Sequence, residues 1–394
     1  MKHLCLIFKV HIPLVLHRCH FFDIGDHPAI LDEQTAVNRL DDLAKTCFLP
    51  ANHLLSRQIN SQKGKIRVAF SMSGITAELM EKHAWETFAS FRNLAASGSV
   101  EFLSGTYSGS FSSLWDPRVF RRQAIDHGHI MERLTGTKSS GVFMNTGLIY
   151  NDDIGQTLDG LGVHGVITEG DRQLLGWKSP NRLYSSSRFP AQKLFFRNPL
   201  FSDQLVHHFQ PETRQEPPAD PRKFLSELLS LAGDDHLINL VIPYDVFRKQ
   251  EYGKDFFHFI DHFLYLAANA PELRLSMPSE ILRLPEDDKT LQISRTIATE
   301  EGTGFGPEEE ENELRKEALS KLYELSGKIA ETNNSELLKD WNYLQASDHF
   351  LCMGTAPGQT ESDDMQNPYG SPYEAFINFM NILNDFKIKL DHLC

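Results

Sequence analysis

Residues 141–150 read Gly-Val-Phe-Met-Asn-Thr-Gly-Leu-Ile-Tyr, an apolar run that ends in small and polar residues. A short apolar run of this kind is typical of a strand that is buried on both faces of a parallel sheet. A helical pattern follows directly, from Asp153 to Gly162. In a barrel of such strand–helix units the carboxyl end of each strand faces the substrate, and Gly147 stands at that end here.

The same unit recurs along the chain. Further strands are predicted by apolar runs at residues 4–8, 67–74, 99–103, 163–168 and 237–242. A helix is predicted to begin at Asp116, because an Asp-Pro pair supplies an N-cap and a first helical residue. Residues 172–221 are rich in Ser, Pro, Arg and aromatic residues and have weak periodicity, so we expect a long excursion from one strand–helix loop. The alternation predicts an α/β fold with a parallel sheet, either open or closed into a barrel.

The chain changes character after residue 285. Residues 300–311 are acidic and contain glycine, which predicts a solvated loop rather than a binding segment. Apolar residues spaced three and four apart from Leu314 to Ile329 predict a helix, and Ser-Pro-Tyr-Glu at 371–374 is a capping box that starts another. We therefore predict a barrel domain over residues 1–285 and a C-terminal helical domain over residues 286–394.

Composition excludes several classes of function. The 394 residues carry a net charge of −14, which argues against a nucleic-acid or anionic-membrane partner because both require a basic face. The 5 cysteines are scattered and form no Cys-x-x-Cys pair, as expected in a reduced compartment, and no signal peptide or membrane span is evident, so we expect a cytoplasmic protein. His258 and His262 share a helix face without a third ligand, and no dinucleotide or phosphate-binding glycine motif is present. We therefore expect neither a metal nor a cofactor, and the oligomeric state is left open.

Six short motifs, in order along nearly the whole chain, resemble those of the α-amylase-like branch of glycoside hydrolase family 57. They are Val-His-Ile-Pro at 10–13, Phe-Leu-Ser-Gly-Thr-Tyr-Ser at 102–108, Asn-Thr-Gly-Leu-Ile-Tyr at 145–150, Gly-Trp-Lys-Ser-Pro at 176–180, Asn-Leu-Val-Ile-Pro-Tyr-Asp-Val-Phe at 239–247 and Leu-Gln-Ala-Ser-Asp-His-Phe at 344–350. The resemblance implies an incomplete (β/α)7 barrel followed by a C-terminal α-helical bundle. It also implies an α-glucan or maltooligosaccharide as the partner.

The departures from the family fall on predicted strand ends. The resemblance places the family's nucleophilic glutamate at Gly147 and its acid/base aspartate at Pro243, and the family's glutamate, histidine and arginine at Gly105, Gly109 and Met144. A retaining glycosidase needs two carboxyl groups about 5–5.5 Å apart, and neither glycine nor proline supplies one. We therefore predict a pseudoenzyme, in which the glycines leave room that water or larger neighbours fill.

Two alternatives remain open. Asp245 follows Pro243 by two residues and could point the same way from an extended strand end, which would allow an active retaining hydrolase or transferase with a substitute carboxylate. The other alternative is a protein-interaction partner that neither binds nor cleaves sugar. A polysaccharide deacetylase has no support, because the sequence contains no His-(Ser/Thr)-x-x-His run.

The candidate substrate-binding residues are His11, Trp177, Tyr244, Asp245, Asp348 and His349. Four of these residues also have a purely structural interpretation. His11 could be a hydrogen-bonded core group, and Trp177 could pack rather than stack on a sugar ring. Asp348 and His349 could instead join the bundle to the barrel.

Overall fold

The computed structural model describes residues 1–137, 140–209, 219–248, 253–284, 289–308, 312–354 and 367–393. The strands are β1 (Lys2–Val10), β2 (Val68–Met72), β3 (Val100–Phe102), β4 (Val142–Met144), β5 (Gly165–Thr168), β6 (Leu183–Ser186), β7 (Lys193–Phe196), β8 (Leu237–Pro243), β9 (Leu273–Leu275) and β10 (Thr290–Leu291).

Seven of these strands close into a ring. Strand β1 pairs in parallel with β2 and β8, β2 pairs with β3, and β5 pairs with β4 and β7. Parallel bridges between Ser104 and Phe143 and between Arg197 and Asn239 join the two sets, so the order around the ring is β1-β2-β3-β4-β5-β7-β8. Strand β6 lies antiparallel to β7 and is extended by β10, while β9 pairs with the amino end of β1. The predicted barrel of parallel strands is confirmed.

The alternation along β1 separates the inside of the barrel from the outside. Cys5 and Ile7 belong to the interior cluster, whereas Leu6 and Phe8 pack outward against the surrounding helices. Because side chains alternate along a strand, Lys9 continues the inward set and emerges at the carboxyl end of the barrel. The interior is therefore a packed apolar core with a polar mouth, as in other barrels.

Helices cover the outside of the barrel. They are α1 (Glu33–Leu43), α2 (Leu49–Ser61), α3 (Gly74–His83), α4 (Trp85–Ala96), α5 (Ser112–Trp115), α6 (Pro117–Thr135), α7 (Asp152–Asp159), α8 (Arg172–Leu175), α9 (Pro199–His208), α10 (Pro221–Leu229), α11 (Gly253–Asn269) and α12 (Pro278–Ile281). A π-helical turn, Ala44–Phe48, joins α1 to α2. Asp116 caps α6 as predicted, since its side chain accepts hydrogen bonds from the amides of Arg118 and Val119.

A helical bundle follows the barrel. It consists of α13 (Glu313–Tyr323), α14 (Ser326–Glu331), α15 (Ser335–Leu344), α16 (Ser347–Leu351) and α17 (Pro372–Leu393). Leu322, Trp341, Phe350 and Phe379 are buried in one cluster that also contains Phe143 of the barrel. The bundle and the barrel therefore share a core, although the boundary predicted at residues 285 and 286 stays a prediction.

The predicted excursion over residues 172–221 is wrong in part. Lys193–Phe196 within it is strand β7, which completes the ring between β5 and β8. This strand has only 4 residues and begins with a lysine, so its local pattern is too short to distinguish it from a loop. The buried Lys193 ammonium donates to the hydroxyl of Ser185 at 2.9 Å, which is how the strand accommodates a charged residue.

Candidate functional site

The carboxyl ends of the strands bring the family's motif positions to one mouth of the barrel. Gly147 follows β4, Pro243 ends β8, and His11 and Asp245 come just after β1 and β8. Lys9 is the register partner of Pro243 in the pairing of β1 with β8. The prediction that Gly147 and Pro243 fall on strand ends is therefore confirmed.

An ion pair spans part of this mouth. The Lys9 ammonium donates to Oε2 of Glu301 at 3.0 Å. The charge of Lys9 holds the pKa of Glu301 below its ordinary value despite the partial loss of hydration, and the charge of Glu301 in turn raises the pKa of Lys9. Both groups are therefore charged at neutral pH.

Asp245 lies close to this ion pair, and its pKa shifts in the direction opposite to that of Glu301. Desolvation in the mouth raises the pKa of the Asp245 carboxyl, against the opposing charges of Lys9 and His11, and Glu301 adds to the rise. Asp245 and Glu301 are nonetheless exposed to water. Both carboxyl groups are therefore reached by water and partly surrounded by protein, as side chains on the wall of an open cleft are.

His11 connects the mouth to the bundle. Its Nε2 lies 2.7 Å from Oδ1 of Asp348, in the first turn of α16. Burial alone would raise the pKa of Asp348, but His11 and its hydrogen bond outweigh burial and keep that pKa below the ordinary value. Among the described residues, Oδ2 of Asp348 has no hydrogen-bond partner. This contact is the joining role considered for Asp348, and it also places His11 at the edge of the mouth.

Backbone from another part of the chain packs against Gly147, where the resemblance places the family's nucleophile. Residues 297–302, which we call the strap, lie across the end of β4. Ile297 exchanges backbone hydrogen bonds with Tyr150 at 3.0 and 2.9 Å, and the amide of Thr299 donates to the carbonyl of Gly147 at 2.9 Å. A Cβ atom added at Gly147 would lie 2.5 Å from Cα of Gly302. The expectation that Gly147 leaves room for water or larger neighbours is therefore wrong.

Backbone conformation gives a second reason why residue 147 is glycine. Gly147 has a φ of +60°, in the left-handed region that residues with a Cβ rarely adopt. The contact is reciprocal, because a Cβ added at Gly302 would lie 2.6 Å from the carbonyl oxygen of Gly147. The two glycines thus fit each other backbone to backbone, and neither position accepts a side chain without movement of the strap.

Gly105, where the resemblance places another glutamate, is also closely surrounded. A Cβ at this residue would lie 3.3 Å from the carbonyl oxygen of Met144 and 3.6 Å from Nε2 of His127. The amide of Gly105 donates to Nδ1 of His127 at 3.2 Å, and Nε2 of His127 donates to the Met72 carbonyl at 2.8 Å. Burial lowers the pKa of His127 to about 4, so the ring is neutral at physiological pH.

Two of the predicted binding residues lie away from the mouth. Tyr244 is completely buried on the outer side of the barrel, and its hydroxyl donates to Asn52 at 2.6 Å, so its predicted binding role is wrong in this structure. His349 is buried in the bundle, where its Nε2 donates to the Tyr343 carbonyl at 2.9 Å. Trp177 is 92% exposed, which excludes the packing role considered for it.

Sequence reasoning missed two features of the mouth. Glu301 was expected in a solvated loop, and the structure instead places it against Lys9. Arg197, after β7, pairs with the buried Glu169, after β5, at 3.2 Å. Neither contact has a local sequence signal.

Within the described parts of the chain, no group of three His, Cys, Asp or Glu residues is placed to hold a metal ion. No helix in the same parts is both long and apolar enough to cross a membrane.

Comparisons with known proteins agree with this architecture. The profile of glycosyl hydrolase family 57 matches residues 5–294. A candidate alpha-amylase of Methanocaldococcus jannaschii is 26% identical over 405 aligned residues, which cover 98% of this chain and 84% of the relative. The alpha-amylase AmyC of Thermotoga maritima superimposes with a TM-score of 0.65 at 12% identity, over 100% of this chain and 95% of that one.

The 4-alpha-glucanotransferase of Thermococcus litoralis superimposes with a TM-score of 0.60 at 12% identity, over 87% of this chain, which spans about half (49%) of the glucanotransferase. At such identities the structural similarities establish the fold, and they confirm the predicted (β/α)7 barrel with a helical region after it.

Proposed function

Because the chain belongs to glycosyl hydrolase family 57, we propose that it is an α-amylase-like protein whose barrel mouth binds α-glucan without cleaving it. The observation that carries this proposal is the contact between Gly147 and Gly302, since backbone fills the place from which the family nucleophile would extend. Because the backbone of the strap occupies this place, the change of one side chain at residue 147 would not by itself restore the carboxyl group.

Pro243, where the resemblance places the family's acid/base aspartate, supports the same proposal. Pro243 ends β8 with no side-chain acid, and a retaining mechanism requires both a nucleophile and an acid/base. A protein that keeps the barrel but lacks both groups at their positions can still recognise sugar, because binding depends on the remaining polar groups and on shape.

Polar groups suited to sugar hydroxyls remain in the mouth. Lys9 supplies donors, Asp245 and Glu301 supply carboxylate acceptors, and His11 lies beside them. Trp177, with 92% of its surface exposed, is available to stack against a sugar ring. These groups support a maltooligosaccharide as the ligand.

Two measurements on the wild-type protein test the proposal. Isothermal titration with maltoheptaose should show binding, and titration with β-linked cellohexaose, as the matched control, should show much weaker binding. Chromatography of the same maltoheptaose solution after prolonged incubation should show no shorter products. A protein that neither binds nor cleaves maltoheptaose would contradict the proposal and favour the alternative of a protein-interaction partner.

A second candidate function rests on a specific observation. Asp245 and Glu301 share the mouth, and their environments shift their pKa values in opposite directions, upward for Asp245 and downward for Glu301. A catalytic acid and a nucleophile need pKa values that are shifted apart in this way. A hydrolase or transferase with substitute carboxylates is therefore the enzymatic alternative. If shorter products do form, their loss in D245N would establish this alternative.

The cellular location is also a proposal. The cysteines described, Cys5, Cys19, Cys47 and Cys352, are free thiols, which supports a reduced compartment such as the cytoplasm. Fractionation of the native cells, with detection of the chain by antibody, tests it.

A further inference from the structure

We propose that Glu301 is a sugar-binding residue, which the strap places in the barrel mouth beside the position of the lost nucleophile. The inference rests on the proposed function, because it identifies which carboxylate contacts the α-glucan. It concerns binding alone and requires no covalent step.

The contacts of the strap determine where the main chain of Glu301 lies. The strap is held at one end by the paired backbones of Ile297 and Tyr150, and in its middle by two hydrogen bonds from Thr299 to the Gly147 carbonyl, at 2.9 Å from the amide and 3.1 Å from the hydroxyl. Gly302 then lies directly on Gly147. Glu301 immediately precedes that contact, so its main chain lies one residue from the place where a glutamate at position 147 would start.

The direction of the Glu301 side chain is fixed by Lys9. Lys9 continues the inward-facing set of β1, and its ammonium lies 3.0 Å from Oε2 of Glu301. An ion pair between a strand end and the strap therefore holds the carboxylate over the mouth. With 63% of the Glu301 side chain exposed, the carboxylate still has surface available to a ligand.

An ionised carboxylate in this setting suits a sugar. Neighbouring hydroxyls of a glucose unit can donate to a carboxylate, and hydrogen bonds to charged groups are roughly twice as strong as those between neutral groups. The adjacent ammonium of Lys9 can donate to a sugar oxygen. The ligand class is therefore a neutral polyhydroxylated chain, and the glucose unit nearest to Gly147 is the one that Glu301 would contact.

Titration calorimetry with maltoheptaose tests the inference on four full-length proteins: wild type, E301Q, K9M and E300Q. The E301Q change keeps the shape of the side chain and removes its charge, and K9M removes the group that positions it. Glu300 is the matched control, because it is exposed, has the same charge and is the neighbouring residue in the strap. Unfolding midpoints of all four proteins report whether the fold is retained.

We expect E301Q to weaken maltoheptaose binding about tenfold or more, K9M to weaken it in the same direction, and E300Q to bind within about twofold of wild type. Binding by E301Q equal to that of wild type would overturn the inference and leave the proposed function standing. An equal loss in E300Q and E301Q would also overturn it, since a general effect of charge would then explain both. Absence of binding by the wild type would refute the proposed function and this inference together.

Discussion

Replacing Gly147 with alanine tests the contact on which the interpretation of the mouth depends. A left-handed backbone costs a residue with a Cβ about 1–2 kcal/mol, and Gly147 has a φ of +60°. The new Cβ would also lie 2.5 Å from Cα of Gly302, and forcing extra atoms into a packed region typically costs about 1–3 kcal/mol. We expect G147A to lower the free energy of unfolding by roughly 3.5 kcal/mol, the middle of the summed range.

Gly136 provides the matched control for the backbone term. It has a φ of +72°, at the end of α6, and an added Cβ there would have no neighbour within 4 Å. G136A therefore incurs the conformational cost without the clash, about 1–2 kcal/mol. Urea denaturation of wild type, G136A and G147A at one temperature gives the comparison, with the unfolding midpoint as the readout. If G147A proved no less stable than G136A, the strap would not lie on Gly147 as described.

Three further predictions concern the mouth and its support. The double variant G147E/P243D, which restores the family's two carboxyl groups, should not cleave maltoheptaose, because a side chain at residue 147 displaces the strap. Product analysis by chromatography checks this prediction, and robust turnover would contradict it. W177A should leave the unfolding midpoint unchanged, because the tryptophan is 92% exposed and has little packing to lose. It should weaken maltoheptaose binding, as measured by calorimetry, and unchanged binding would exclude the stacking role. Burial lowers the pKa of His127 from 6.5 to about 4, so between these pH values the unfolded chain binds a proton that the folded protein does not. Stability should therefore fall as the pH falls from about 6.5 to 4, by at most about 3.4 kcal/mol. H127Q should flatten that part of the pH dependence of the urea midpoints, and an unchanged slope would contradict the shift.

Sequence patterns predicted the features that have local causes. The apolar bodies of β1, β4 and β8 and the Asp-Pro start of α6 each follow from residues adjacent in the chain, and the structure confirms them. The family resemblance also predicted that Gly147 and Pro243 would lie at the carboxyl ends of strands. These predictions succeed because periodicity and capping act over a few residues.

Features created by distant contacts were not predictable in this way. Strand β7 is too short to show a period, and it becomes a strand because it fills the gap between β5 and β8. The strap depends on two glycines, Gly147 and Gly302, that are far apart in sequence and that meet only in the folded barrel. Glu301 likewise acquires its position from Lys9, on another element, so an acidic loop was the only interpretation its neighbours suggested.

The most direct test of the account is the chain length of maltoheptaose after long incubation with an equimolar amount of wild-type protein, resolved by chromatography. The account predicts that maltoheptaose remains intact in a solution where calorimetry shows that it is bound. Shorter or longer glucans that form with wild type, and that no longer form with a D245N protein that still binds maltoheptaose, would contradict it, because they would show that Asp245 performs the chemistry that Gly147 and Pro243 cannot.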